Sequence, residues 1–278
     1  RDWRKCRMLL AIDVGNTNVV LGLFDGERLI DRWRLATDTR RAADEYGILI
    51  DMLLRSKGFC SADIKDVIIS SVVPSLLFSL EHMCLKYYEK SPMVVETGIK
   101  TGIKIKYDDP RQVGPDRIVN SVAAHMKYGG NLIVVDFGTA TTFCCVTEEG
   151  VFMGGAIAPG IKTSAAALFE HTSKLPNVDL DIPGHFIAKN TQEGMQSGLI
   201  YGHMGFTTHM IDGMKKEMEA ELGVKPEDIK VIATGGMATM VESGVECIDV
   251  IDSQLTLDGL RYLYEKNKGL QKKRVLQD

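Results

Sequence analysis

The chain has 278 residues, enough for one large domain or two modest ones at roughly 100–200 residues per domain. With 45% hydrophobic and 25% charged residues it can build a sizeable core, which excludes intrinsic disorder. The 33 Lys and Arg against 37 Asp and Glu, net charge −4, give no electrostatic reason to bind nucleic acid or an anionic membrane, and no apolar run reaches the ~18–20 residues of a bilayer span.

The basic opening Arg1–Arg7 is followed by an apolar stretch, Met8–Ile12, that is too short for a secretory signal core of about 7–15 residues. Residues 1–7 therefore read as an upstream extension with Met8 as the functional start. The cysteines at 6, 60, 84, 144, 145 and 247 form no C-x-x-C pair, and the six histidines show no zinc spacing. This pattern fits reduced core cysteines of a cytoplasmic enzyme.

Met8–Ile12 is an apolar run closed by Asp13-Val-Gly-Asn-Thr17; Val19–Phe24 follows, then the hairpin signal Asp25-Gly26 and a third strand, Arg28–Leu35. Apolar residues Ile48, Leu49, Met52 and Leu53 mark a helix over Asp44–Leu54, after which come a strand at Val67–Ile69, a helix at Ser75–Tyr88, a strand at Met93–Val95 and a helix at Asp116–Tyr128. The opening unit then recurs. Asn131–Val135 closes at Asp136-Phe-Gly-Thr-Ala-Thr-Thr142, followed by strands Phe143–Thr147 and Val151–Gly155. Helix Thr163–Phe169, a Pro-containing loop over Leu175–Pro183, a long helix over Thr191–Leu222, strands Val231–Ala233 and Cys247–Ile251, and helix Leu257–Tyr264 complete the chain. The aspartates Asp13 and Asp136 stand 123 positions apart, close to half the chain, and the repeat predicts two α/β lobes with mixed sheets, parted within Lys127–Gly130.

A strand ending in Asp-x-Gly-Asn-Thr carries a carboxylate, a glycine that admits close backbone approach, and hydroxyl and amide groups, which together make a phosphate cradle. The same residues make ordinary turns. A second bend of the same kind at Asp136-Phe-Gly-Thr139 favours the cradle: two facing bends can hold a polyphosphate and its Mg²⁺. Thr234-Gly-Gly236, after another strand, serves either as a nucleotide contact or as a tight strand-to-helix turn. Asp116 suits either a helix cap or a proton acceptor favoured by the helix dipole.

The chain resembles the type III pantothenate kinases, of the superfamily of acetate and sugar kinases, Hsp70 and actin. The resemblance runs from Met8 to about Lys268 and rests on Asp13–Thr17, Asp44-Glu-Tyr-Gly47, Tyr107 with Asp109-Pro110, Gly114-Pro-Asp-Arg-Ile-Val-Asn120, Asp136–Thr142, Gly154-Gly-Ala-Ile-Ala-Pro-Gly160 and Asn190-Thr191. It implies an α/β chain of two duplicated ribonuclease H-like lobes (the actin-like ATPase fold), 8–129 and 130–268, each a mixed five-stranded sheet with flanking helices. Pro115 departs from the small residue expected there, though proline fits a helix's first turn.

That family phosphorylates the primary hydroxyl of pantothenate with ATP, the first step of coenzyme A synthesis. The resemblance implies that Asp116 is the catalytic base. Asp13, Val14, Gly15, Asn16, Thr17, Asn18, Val19 and Val20, with Thr139, should bind ATP, Asp13 lying near Mg²⁺. Tyr107, Gly114, Pro115, Asp116 and Arg117 are implied to contact pantothenate, with Thr191 reaching it from the partner subunit of a homodimer. Asp136 resembles the ligand of a monovalent cation, K⁺ or NH₄⁺, which would supply charge where a P-loop uses lysine. The residue types suit this chemistry: phosphoryl transfer needs alignment, charge neutralisation and a proton acceptor, and an arginine fork matches a carboxylate. The methionines 195, 204, 210, 214 and 218 of the long helical region read either as core or as the apolar surface of a two-fold contact. Two other classes compete: a catalytically silent nucleotide-binding regulatory protein on the same fold, which the presence of Asp116, Arg117 and both cradles disfavours, and an Hsp70-like or actin-like ATPase, which would need a further substrate-binding or polymer-forming region.

Overall fold

The computed structural model describes residues 8–274, so the proposed extension at 1–7, with Cys6, lies outside the described residues. In chain order the elements are β1 (Met8–Val14), β2 (Asn18–Asp25), β3 (Arg28–Ala36), α1 (Ala43–Ser56), β4 (Ile64–Ser71), α2 (Pro74–Tyr88), β5 (Met93–Val94), β6 (Lys104–Ile105) and α3 (Pro115–Tyr128). The second half continues with β7 (Asn131–Phe137), β8 (Ala140–Val146), β9 (Val151–Pro159), α4 (Ile161–Glu170), α5 (Thr191–Leu222), β10 (Ile229–Thr234), α6 (Ala238–Glu242), β11 (Val250–Ile251) and α7 (Leu255–Arg274).

The duplication read from the two aspartates is present in the topology. One sheet runs β3-β2-β1-β4-β5 and the other β11-β10-β7-β8-β9-β6, so β7 to β11 repeat the order and directions of β1 to β5. In each, three antiparallel strands join two parallel ones. The first sheet has the five strands expected. The second has a sixth, β6, parallel to the edge of β9; two residues of Lys-Ile carry too little periodicity to be read from sequence. Likewise β11 begins only at Val250, later than the Cys247 start expected.

The described residues divide into two compact units, 8–102 with 111–123 and 256–274, and 103–110 with 124–255. These units interleave in sequence, because the C-terminal helix groups with the first and the end of α3 with the second.

In the first unit, central strand β1 is flanked on both sides and reads as a continuous apolar run, whereas edge strand β3 carries Arg28, Asp31, Arg32 and Arg34, charges that discourage edge pairing. One sheet face, with Leu10, Ile12, Val14, Val67 and Ile69, packs against Tyr46, Ile50 and Leu54 of α1 and Leu76, Leu80 and Met83 of α2. The opposite face meets α7: Gly22 lies against Leu257, and the Tyr264 hydroxyl donates to Asp66. In turn α7 packs on α3, where the Gly259 backbone position leaves no room for a side chain beside Val119.

In the second unit, α5 starts with Asn190, whose side chain accepts from the Glu193 N–H at 2.9 Å, and stops at Gly223 in the left-handed region. Met204, Met214 and Met218 are buried with Ile200 and Ile211 against Ile133, Val135 and Val231, and Met195 is buried as well. Core filling, not an exposed apolar stripe, is therefore what these methionines do.

Candidate active site

The first bend closes β1. Asp13 is the penultimate residue of the strand, opposite Val20 on β2, and is half-buried. The Gly15 N–H donates to the Asn18 carbonyl at 2.9 Å, and the Thr37 hydroxyl donates to the Gly15 carbonyl at 2.7 Å, fixing the bend from outside. Asn16 and Thr17 stand exposed at its tip. Val14 and Val19 point their side chains into the core, so any ligand contact they make is through backbone. On the adjacent β4, Ser70 is Asp13's register partner.

The second bend has the same plan. Asp136 is the penultimate residue of β7, and the Gly138 N–H donates to the Ala140 carbonyl at 3.1 Å. Thr139 is held through its carbonyl, which accepts from the Gly160 N–H at 3.0 Å and from the Thr163 hydroxyl at 2.6 Å. The start of α4 thus buttresses this bend, and sequence reading assigned neither residue that role. Gly160 stood inside a matched motif; Thr163 gave no signal. Thr234-Gly-Gly236 comes to the same place, because Thr234 is register partner to Asp136 and the Met237 N–H donates to the Phe137 carbonyl at 3.2 Å. Behind the bend the buried His203 of α5 bonds the Thr141 hydroxyl through Nε2 at 2.9 Å and packs edge-on to Phe137, its pKa lowered by burial.

The third group sits at the start of α3. Pro115 takes the first helical position, where its missing N–H costs nothing, so Asp116 is the second residue of the helix rather than its cap. Its carboxylate accepts from the backbone N–H groups of Arg117 and of Asp116 itself, yet burial dominates and raises its pKa above the ordinary carboxylate value, opposed by the Arg117 charge. Gly114 packs directly against that carboxylate, and a Cβ there would stand 2.5 Å from Oδ1. Arg117 is 4% exposed, so its side chain is buried rather than spread on the surface. Tyr107 belongs to the second unit, its ring edge-on to Phe152 at 6.2 Å and against Gly154. Thr191 is the exposed first residue of α5.

Among the described residues no three His, Cys, Asp or Glu side chains gather as a metal cluster. A bend with one carboxylate suits a Mg²⁺ ligated mainly by phosphates and water, since that ion keeps much of its hydration and uses one or two protein carboxylates. Among the described residues no helix is long and apolar enough to cross a membrane.

Comparison with solved structures places this architecture among the actin-like ATPase and sugar-kinase folds. A Campylobacter jejuni protein assigned to the Baf family of transcriptional activators aligns at 21% identity with TM-score 0.55, covering 94% of this chain and 99% of that one. The ROK hexokinase of Thermus thermophilus aligns at 12% identity with TM-score 0.54, covering 94% and 99%. The ethanolamine utilization protein EutJ of Carboxydothermus hydrogenoformans aligns at 13% identity with TM-score 0.52, covering 91% and 89%. At these identities the likeness is one of fold. The family profile for type III pantothenate kinase matches residues 9–213, and the chain belongs to that family. It is a kinase by that membership.

Proposed function

We propose that the protein transfers the γ-phosphoryl group of ATP to the primary hydroxyl of pantothenate, giving 4′-phosphopantothenate for coenzyme A synthesis. The observation that carries this reading is the Asp116 carboxylate, held at a helix start, desolvated and raised in pKa, inside the family's Gly114–Asn120 segment. Raising the pKa of a carboxylate toward the working pH strengthens it as a proton acceptor. As the acceptor oxygen bonds to the γ-phosphorus and the bond from that phosphorus to the bridging oxygen breaks to release ADP, Asp116 takes the hydroxyl proton.

The Asp13 bend binds ATP phosphates through its backbone and through Asn16, Thr17 and Asn18, and Thr139 contacts ATP from the second bend. Mg²⁺ near Asp13 and a K⁺ or NH₄⁺ at Asp136 supply positive charge to the phosphates when bound. Tyr107, Gly114, Pro115 and Arg117 position pantothenate, the buried guanidinium being matched to its carboxylate. Thr191, exposed at the start of α5, reaches the pantothenate of the partner subunit in a homodimer. Sedimentation equilibrium at micromolar concentration is expected to give twice the 30.7 kDa chain mass, and a monomer would remove the role of Thr191. The reaction is tested by a coupled assay of ATP consumption with pantothenate, with and without K⁺ or NH₄⁺. Nucleotide binding without transfer would instead favour a silent regulatory protein.

A further inference from the structure

Ser70 is fully buried, at 0% exposure, and its hydroxyl finds no hydrogen-bond partner among the described residues. A buried hydroxyl left unpaired is uncommon in native proteins and calls for a physical reason, such as a ligand, ion or water that completes it. Its placement supplies one. Ser70 is paired in register with Asp13 in a parallel ladder, and opposite residues in such a ladder present their side chains to the same face. Ile12 and Ile69, the preceding pair, both lie in the core formed with α1 and α2; the alternation therefore sends Asp13 and Ser70 to the other face. The next serine behaves differently. Ser71 is satisfied locally, its hydroxyl accepting from the Val73 N–H and donating to the Val73 carbonyl, each at 3.1 Å.

We infer that Ser70 is a positioning residue of the nucleotide site: its hydroxyl is completed when Mg²⁺ and phosphate load the Asp13 bend, donating to the Asp13 carboxylate beside it in the ladder. The inference rests on the reading of Asp13 as the residue beside Mg²⁺. It makes a distinctive forecast, because deleting a hydroxyl that has no partner is nearly neutral for the empty protein, whereas deleting one that holds a charged ligand group is not.

The test compares wild type, Ser70→Ala, Ser71→Ala and Asp13→Asn by thermal melting with and without MgATP, and by Mg²⁺ titration of fluorescent-ATP binding at 20 °C, where all variants that fold can be compared. For Ser70→Ala the expected result is an unchanged or higher melting temperature in the empty protein, a reduced MgATP-induced shift, and roughly tenfold more Mg²⁺ needed for half-saturation. Ser71→Ala should show the reverse pattern, a lower melting temperature with the ligand shift intact. If Ser70→Ala keeps the wild-type shift and Mg²⁺ dependence while Asp13→Asn loses them, the Ser70 role is overturned and the Asp13 reading stands. If Ser70→Ala melts lower yet keeps the wild-type Mg²⁺ titration, the hydroxyl serves a structural water and the inference is again overturned. If wild type itself shows no MgATP shift, both fall.

Discussion

Gly235 lies against the carboxylate of Asp136: at φ +96°, a Cβ on Gly235 would stand 2.5 Å from Asp136 Oδ1 and 2.6 Å from the Phe137 backbone. Glycine answers both demands, the left-handed conformation and the lack of space. Gly235→Ala should therefore cost about 1–3 kcal/mol from backbone strain alone, with overlap against Phe137 adding to it. Urea denaturation measures the loss, and wild-type stability in the variant would show that the loop can withdraw from the bend.

Gly114 meets Asp116 in a different way. The atom that a new methyl group would strike is the end of a flexible side chain, so the fold should survive and the carboxylate should move. Gly114→Ala is expected to lower turnover by roughly 10–100-fold, the cost of displacing a reacting group by an ångström or so. Its denaturation midpoint should stay close to wild type. Full activity would mean that the orientation of Asp116 does not matter.

Asp116 should also leave a signature in pH. Burial raises its folded pKa above the unfolded value of ~3.9. The stability it contributes is present below that unfolded value and is lost as pH rises through the folded one, so ionising this carboxyl opposes folding. Asp116→Asn should then be at least as stable as wild type at pH 7, with the difference shrinking towards acid, while turnover falls by roughly 10²–10⁴. In wild type, kcat/KM should fall on the acid side with a pKa above the ordinary carboxylate value. A variant retaining a third of wild-type activity would reduce Asp116 to a helix-start residue.

For Asp136→Asn the expected outcome is a lost or altered response to K⁺ and NH₄⁺, read by titrating each ion in the transfer assay. An unchanged K⁺ curve would place the ion elsewhere.

Much of this architecture was legible because both halves repeat a strong local pattern. Met8–Ile12 and Asn131–Val135 are apolar runs stopped by an aspartate, and each forms the central part of a sheet buried on both faces. The long helix was bounded by its own chemistry, Asn190 at the start and Gly223 at the stop. What stayed hidden depends on partners distant in sequence. Whether Met204 and Met218 face the core or the outside is decided by strands β7 and β10, not by helical spacing, and α5 buries them. Thr163 holds the Thr139 carbonyl from 24 positions away, and Gly235 meets Asp136 from 99 positions away. Composition at either end reveals neither contact. Ser70 looks like the close of an apolar strand until its register with Asp13 is known.

The most direct measurement is mass spectrometry of the products after incubating the protein with MgATP, K⁺ and pantothenate. Wild type should accumulate 4′-phosphopantothenate in step with ADP, and Asp116→Asn should form it at least a hundredfold more slowly under the same conditions. ADP formed with no phosphorylated pantothenate, or equal product from Asp116→Asn, would contradict the account.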